Sequence, residues 1–248
     1  MRSWIHSIQR GLGFFTRLPS GHYDPAALGE SAAVFPVIGL IIGALASLFI
    51  AFATFIHLPP TIGILLGISA AIIITGGLHE DGLADTADAL GARGDREKRI
   101  LILKDSRIGA FGAIALILAL LIKLETLSGL PSSWHTMTYF ICAHILGRGI
   151  LPTVMRSAPL MSNEGMAAAA GQPSVTAART ALIISFILVL LLMGPVKSIV
   201  AFGAAILTGL LLIRIAYRIF GGYNGDVLGA IEQCVELAVL INLRSFAT

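Results

Sequence analysis

The densest set of reactive side chains in the 248-residue sequence is the acidic stretch GGLHEDGLADTADALG, at 76–91. It places four carboxylates within nine positions, directly after an uncharged apolar run. On one helix, Asp81, Asp85 and Asp88 fall at positions i, i+4 and i+7 and share a face. Because like charges on one face repel, the spacing predicts bound Mg²⁺, which carboxylates hold together with substrate phosphates. A solvated acidic cap at a membrane interface is the alternative.

Two neighbours extend the metal hypothesis. His79 is a candidate general base, or only a hydrated neighbour of the aspartates. Gly82 has no side chain and is therefore expected to leave room for a phosphate to approach Asp81. The shared face also requires the preceding apolar helix to continue past Gly77.

A second polar element, KDSRIGAFG at 104–112, precedes the next apolar run. Asp105 and Ser106 are typical N-cap residues, so we expect them to begin a helix, and both are also candidate substrate-binding residues. Arg107 beside them offers a bidentate fork for a phosphate near the positive end of that helix. The two glycines of this element are expected to leave room for the ligand.

Charged residues also occur inside apolar runs, where burial is costly and often functional. Arg148 lies in one run, and Glu232 and Glu236 lie four residues apart in another. A buried arginine facing both carboxylates is the expected arrangement, serving either as a structural ion pair or as a substrate contact. Lys123 and Glu125, near the end of a run, are expected to extend towards the interface.

Two further segments are candidates for the same site. The turn GGYNGD, at 221–226, carries Asn224 and Asp226 as possible substrate contacts, although glycine-rich turns with one aspartate are common. The segment 157–174 mixes Pro, Ser, Gly and Ala without an apolar period. It is interpreted as a lid over the site or as a plain linker.

The composition indicates an integral membrane protein, because 56% of the residues are hydrophobic and 12% are charged. The net charge of +3 does not indicate nucleic-acid binding, since the bases are scattered among apolar runs. Two cysteines within apolar runs give no disulfide framework.

Seven apolar runs are candidates for membrane helices. They cover about 33–56, 61–78, 108–128, 134–155, 180–194, 198–219 and 227–243. The sequence therefore predicts an all-α polytopic helical bundle of about six to seven transmembrane helices, forming one integral membrane domain over 1–248. The first 20 residues predict an amphipathic helix, lying in the interface or on the protein's own surface.

Basic residues predict the orientation. Three Lys or Arg residues lie in the N-terminal stretch, six in 79–107 and two in 156–179. By the positive-inside rule these segments are cytoplasmic. All four polar elements are then on one face and can converge on one site.

The chain resembles the adenosylcobinamide-GDP ribazoletransferase family, also called cobalamin 5′-phosphate synthase. The resemblance rests on GGLHEDGLADTADALG and KDSRIGAFG, on GRG at 147–149, on NEGM at 163–166, and on GGYNGDVLGAIEQCVEL at 221–237. These segments occur in family order and extend over nearly the whole chain.

The resemblance implies a Mg²⁺-dependent transferase of the bacterial inner membrane, with its active site on the cytoplasmic face. The implied reaction joins adenosylcobinamide-GDP to α-ribazole, or to its 5′-phosphate, with release of GMP, as the last step of nucleotide loop assembly. The bilayer is an implied partner, and a homo-oligomer or an assembly with other cobamide-pathway enzymes is possible.

Two alternatives remain at this point. One is another membrane phosphotransferase resembling the CDP-alcohol class, which spreads its aspartates over a longer stretch. The other is an ion or solute transporter, with Arg148, Glu232 and Glu236 along an intramembrane path. A transporter predicts discontinuous helices in paired halves.

Overall fold

The computed structural model describes residues 2–20, 28–105 and 107–246, and within these ranges it contains helices and no strand. The α-helices are α1 (Arg2–Phe15), α2 (Phe35–Phe55), α3 (Pro60–Thr75), α4 (Leu78–Gly91), α5 (Arg96–Leu103), α6 (Ala110–Ser128), α7 (Ser133–Arg156), α8 (Met166–Ala170), α9 (Val175–Met193), α10 (Pro195–Phe220) and α11 (Gly225–Arg244). A 3-10 helix, Gly29–Val34, leads into α2.

Each of the seven predicted runs coincides with one of the long helices, which confirms the all-α membrane bundle. Among the described residues, four segments are long and apolar enough to cross a membrane: Gly29–Phe55, α6, α9 and α10. The pair α3 and α4 adds a fifth if it is one bent span. The predicted count of six to seven spans is therefore not confirmed, because charged and polar residues interrupt α7 and α11.

The expected continuation of the second apolar helix through Gly77 is wrong. Gly76 and Gly77 both take left-handed backbone angles, with φ of +70° and +72°, a conformation that costs glycine little. The chain turns there, and α4 runs at 89° to α3. The three aspartates still share one face, because all of them lie on α4.

The predicted N-terminal amphipathic helix is present as α1. Its C-terminal end packs on the protein, since Phe15 is buried and its ring lies 4.8 Å from that of Phe35. Trp4 and Ile5 at the other end are about half exposed, at 47% and 54%. One end of the helix therefore rests on the bundle and the other presents apolar side chains outwards, and the predicted position in the membrane interface stays a prediction.

Small residues bring the central helices close together. A Cβ atom added at Gly39 of α2 would lie 2.7 Å from the carbonyl carbon of His144 in α7. A Cβ atom at Gly43 would lie 2.9 Å from Cα of Ile141. This contact places α7, which carries Arg148, in the centre of the bundle.

Candidate functional site

Three carboxylates from two helices gather at the bend between α3 and α4. Asp81 and Asp85 lie on α4, and Asp226 lies in the first turn of α11. Partial burial, followed by the charges of Asp81, Asp226, Asp88 and Asp105, raises the pKa of Asp85 to about 6. Burial also raises the pKa of Asp226, with Asp81 adding to the effect and the Asn224 side chain opposing it. Such mutual repulsion favours a cation among these groups.

Close packing of α4 against α11 creates this cluster. A Cβ atom at Gly82 would lie 2.6 Å from the backbone oxygen of Asp226, and one at Gly229 would lie 3.2 Å from Cα of His79. The expectation that Gly82 leaves room for a phosphate is therefore wrong. Its hydrogen side chain instead admits the backbone of α11, which brings Asp226 beside Asp81.

Asn224 fixes the start of α11. Its side-chain oxygen accepts a hydrogen bond from the amide of Val227 at 3.0 Å, as an N-cap does. Its amide nitrogen donates to Oδ2 of Asp226 at 2.6 Å. Asn224 thus orients the Asp226 carboxylate at the positive end of the helix.

Asp88 has a different environment from the other aspartates of α4. Its Oδ2 accepts from the amide of Gly109 at 2.7 Å, and its Oδ1 accepts from the amide of Gly112 at 2.9 Å. The N-terminus of α6 is thus capped from α4. The prediction that Asp105 caps this helix is wrong, since α6 begins after Gly109 with no cap from its own segment.

The two glycines of KDSRIGAFG do not leave space for a ligand. A Cβ atom at Gly109 would lie 2.8 Å from Cγ of Asp88, and one at Gly112 would lie 2.8 Å from the backbone oxygen of Ala84. They let the Asp88 carboxylate reach the amides instead. Ser106, the other predicted capping and substrate-binding residue, lies outside the described residues.

Arg107 and Asp105 form an exposed pair near the cluster. Arg107 Nη2 donates to Asp105 Oδ2 at 2.7 Å, and Nε donates to Oδ1 at 3.0 Å. These bonds lower the pKa of Asp105 and raise that of Arg107. The Arg107 side chain is 87% exposed. Because its guanidinium is bonded to Asp105, it can bind a phosphate through two N–H groups only after it leaves Asp105.

Two grooves flank the carboxylates, and a small cavity between them shares Asp81 with one groove and Asp226 with the other. The groove named here the α4 groove has a volume of about 570 Å³ and is lined by Arg17, Glu80, Asp81 and Asp85, among others. The α5 groove has a volume of about 550 Å³ and contains Asp226. The rest of its polar lining is Lys104, Ser162, Glu164 and Asn224. The small cavity, of about 80 Å³, reaches His79, Asp81 and Asp226.

The segment 157–174, interpreted from the sequence as a lid or a plain linker, packs against the turn at 221–226. The backbone amide of Met161 donates to the carbonyl of Tyr223 at 2.9 Å, and the amide of Tyr223 donates to the carbonyl of Pro159 at 3.0 Å. Met166 and Ala167 line both the small cavity and the α5 groove. Three of the four predicted polar elements, α4, 157–174 and 221–226, thus lie side by side, whereas Asp105 and Arg107 line neither the grooves nor the small cavity.

A buried ionic network lies beneath the site and confirms the expected contacts of Arg148. Its Nη1 donates to Oε1 of Glu232 and, at 2.6 Å, to Oε1 of Glu236. The three residues are no more than 1% exposed. None of the three lines either groove, and their predicted contact with substrate remains untested.

Lys123 belongs to the same network, so the expectation that it extends to the interface is wrong. Its Nζ donates to Oε2 of Glu236 at 2.7 Å and to Oε1 of Gln233 at 2.8 Å. Gln233 in turn donates to Oε1 of Glu80 at 3.1 Å, which links the network to the α4 groove. Two cations and two buried acids balance each other, which offsets the cost of burying them.

The network also contains a set of possible metal ligands. Among the described residues, His144, Glu232 and Glu236 bring one ligand atom each within 4.8 Å of one another. Arg148 and Lys123 already neutralise these carboxylates. In the part of the chain that the structure describes, Asp81, Asp85 and Asp226 do not bring their carboxylate oxygens that close together, and Asp88 turns towards α6.

His79 connects the network to the small cavity. Its Nδ1 lies 3.2 Å from Nη2 of Arg148 in a hydrogen bond and 3.4 Å from Oε2 of Glu232. A guanidinium only donates, so we assign Nδ1 as the acceptor and place the hydrogen of the neutral ring on Nε2. In this tautomer His79 is a donor rather than a base.

Sequence reasoning missed Arg17 and Lys104 as parts of the grooves. Arg17 lies after α1, and its side chain packs on Gly76 beside the bend. Lys104 was treated as one of several loop cations. No local signal marks either residue, because their positions depend on how α1 and α5 pack around α4.

Comparison with known proteins gives a consistent result. The profile of the family described as cobalamin-5-phosphate synthase matches residues 7–243. A protein of Bradyrhizobium diazoefficiens named adenosylcobinamide-GDP ribazoletransferase is 36% identical, over 99% of this chain and 96% of its own. One of the same name from Mesorhizobium japonicum is 38% identical, over 97% and 93%. No solved structure matches the chain.

Proposed function

The chain belongs to the cobalamin-5-phosphate synthase family, and from this premise we propose how its carboxylates and grooves perform the reaction. The chain is a transferase of the adenosylcobinamide-GDP ribazoletransferase type. A hydroxyl of α-ribazole, or of its 5′-phosphate, displaces GMP from the phosphorus that carries cobinamide. One P–O bond forms to the acceptor, one P–O bond to GMP breaks, and the hydroxyl proton leaves to a base.

The observation that carries the mechanism is the cluster of Asp81, Asp85 and Asp226. Three acidic groups that repel each other, open to two grooves, have the donor chemistry that hard divalent cations prefer. A bound Mg²⁺ would neutralise the diphosphate charge and the charge of the departing phosphate. The predicted ligand role of Asp88 stays a prediction, and we propose that its main task is to hold α6.

Two grooves suit a reaction with two substrates. Asp81 and Asp85 line the α4 groove and Asp226 lines the α5 groove, and each groove has one cation in its described lining, Arg17 or Lys104. We assign one phosphate-bearing substrate to each groove, with the reacting phosphorus between Asp81 and Asp226. Positioning of this kind supplies most of the catalysis in phosphoryl transfer.

We propose that the acceptor proton passes to a carboxylate of the cluster that does not hold the cation. The tautomer assigned to His79 makes it a hydrogen-bond donor to a substrate oxygen. Its prediction as general base remains open to test by substitution. Arg107, once released from Asp105, is the proposed additional phosphate ligand.

The orientation is also proposed. The basic residues of 79–107 and 156–179 lie in the segments that form the site, so the positive-inside rule places the site on the cytoplasmic face. For a bacterial chain that membrane is the inner membrane. A homo-oligomer and an assembly with other cobamide-pathway enzymes remain predictions.

The direct test is an assay of purified protein with adenosylcobinamide-GDP, α-ribazole and Mg²⁺, in which chromatography follows GMP. Asp85→Asn and Asp226→Asn are expected to release less than about 1% of the wild-type GMP while staying folded. Glu125→Gln is the matched control, since Glu125 is exposed at the far end of α6. Near-normal GMP release by both aspartate variants would rule out the cluster as the reaction centre.

A further inference from the structure

The α5 groove contains groups that the diphosphate chemistry does not require. Besides Asp226, its lining includes the carboxylate of Glu164 and the apolar side chains of Ile100, Leu103 and Met161. We infer that the α5 groove binds the guanine nucleotide half of the substrate, and that Glu164 recognises the guanine base. This inference rests on the proposed function.

The charges of the groove define the kind of ligand that fits. Lys104 and Glu164 are both exposed, and neither forms an ion pair within the described part of the chain. The groove thus offers a cation and an anion, both unpaired. A ligand that carries a phosphate and a pair of N–H donors satisfies both of them.

Guanine has the required donors. Its N1–H and its N2 amino group lie side by side on the Watson–Crick edge and match the two oxygens of a carboxylate. Adenine presents an acceptor at N1 and is repelled, whereas hypoxanthine keeps N1–H but lacks the amino group. The apolar side chains of Ile100, Leu103 and Met161 suit the faces of a purine ring.

The fold holds Glu164 at a defined place relative to the phosphates. The backbone pairing of Met161 with Tyr223 ties its segment to the start of α11. The amide of Glu164 donates to Oγ of Ser162 at 3.1 Å. Asp226, Lys104 and Glu164 line the same groove, so a nucleotide whose phosphate binds Lys104, with a cation at Asp226, could place its base at Glu164.

Binding of GMP, IMP and AMP to the purified full-length protein in detergent, measured by equilibrium dialysis, tests this inference. Wild type is expected to bind GMP about tenfold more tightly than IMP, because IMP lacks the N2 amino group that donates to the charged Glu164 carboxylate, and to bind AMP more weakly still. Glu164→Gln should lose most of the preference for GMP over IMP. Lys104→Gln should weaken the binding of all three nucleotides by a similar factor.

Glu125→Gln serves again as the control and should bind like wild type. Equal binding of the three nucleotides by wild type, or an unchanged preference in Glu164→Gln, would overturn the guanine assignment. GMP release from adenosylcobinamide-GDP by the same wild-type preparation distinguishes failure of the groove assignment from failure of the proposed function. If release is normal, only the groove assignment fails, whereas its absence removes the proposed function as well.

Discussion

Replacing Asp88 should destabilise the protein whereas replacing Asp85 should not, although the two aspartates lie on one face of one helix. Asp88 accepts two amide hydrogen bonds, at 2.7 and 2.9 Å, from the start of α6. Asp88→Asn keeps one acceptor oxygen, turns an N–H donor towards the other amide, and removes a negative charge from a helix N-terminus. A hydrogen bond to a charged group contributes about 1.5–3 kcal/mol, and the helix-dipole interaction contributes about 0.3–1 kcal/mol.

The expected loss for Asp88→Asn is therefore about 2–4 kcal/mol, or roughly 5–15 °C in Tm for a chain of this size. Asp88→Ala, which loses both bonds, should fall further. Asp85→Asn removes a charge that its neighbours repel, so its Tm should stay level or rise.

The assay is thermal unfolding of detergent-purified protein in chelator, so that no divalent cation contributes to Tm, with Glu125→Gln as the neutral control. An unchanged Tm for Asp88→Asn would refute the capping role of Asp88. An equal fall for Asp85→Asn would refute the repulsion argument.

Three further outcomes follow from the same geometry. Arg17→Gln should raise the KM for α-ribazole 5′-phosphate about tenfold or more and leave that for α-ribazole nearly unchanged, as steady-state kinetics with both acceptors will show; equal changes would place Arg17 elsewhere. Because the pKa of Asp85 is about 6, its ionised form is lost as pH falls through 6, so activity at limiting Mg²⁺ should fall there. More Mg²⁺ competes with the proton and should move the midpoint of the pH–rate profile to lower pH; a midpoint independent of Mg²⁺ contradicts the ligand role. Lys123→Met leaves Glu236 short of a partner and should cost about 3–5 kcal/mol, and adding Glu236→Gln should recover part of this loss in denaturant unfolding; strictly additive losses would show that the pair is not coupled.

The helices were predictable because a helix that crosses a membrane requires a long apolar run, which is visible in the sequence. The number of these helices that span the membrane was not predictable, because residues of the buried network interrupt the apolar runs of α7 and α11. The break at Gly76 and Gly77 was also missed. Two adjacent glycines permit a left-handed turn, but packing of α4 against α11 selects it.

The candidate site was predictable in its parts and not in their pairing. Helical spacing predicted that Asp81, Asp85 and Asp88 share one face. The distribution of basic residues predicted that the distant Asp226 lies at the same end of the bundle. The separate task of Asp88 was hidden, because the amides it binds start a helix some twenty residues away. Lys123 was misassigned for the same reason: its partner Glu236 is far along the chain.

Release of GMP from adenosylcobinamide-GDP by chelator-treated protein, measured as Mg²⁺ is added back, tests the role of the cluster of Asp81, Asp85 and Asp226 most directly. Wild type should release no GMP in chelator and recover along a saturable Mg²⁺ curve, whereas Asp85→Asn should stay inactive at every concentration. Full GMP release by wild type in chelator, or a wild-type Mg²⁺ curve in Asp85→Asn, would contradict the proposal that these carboxylates hold the cation.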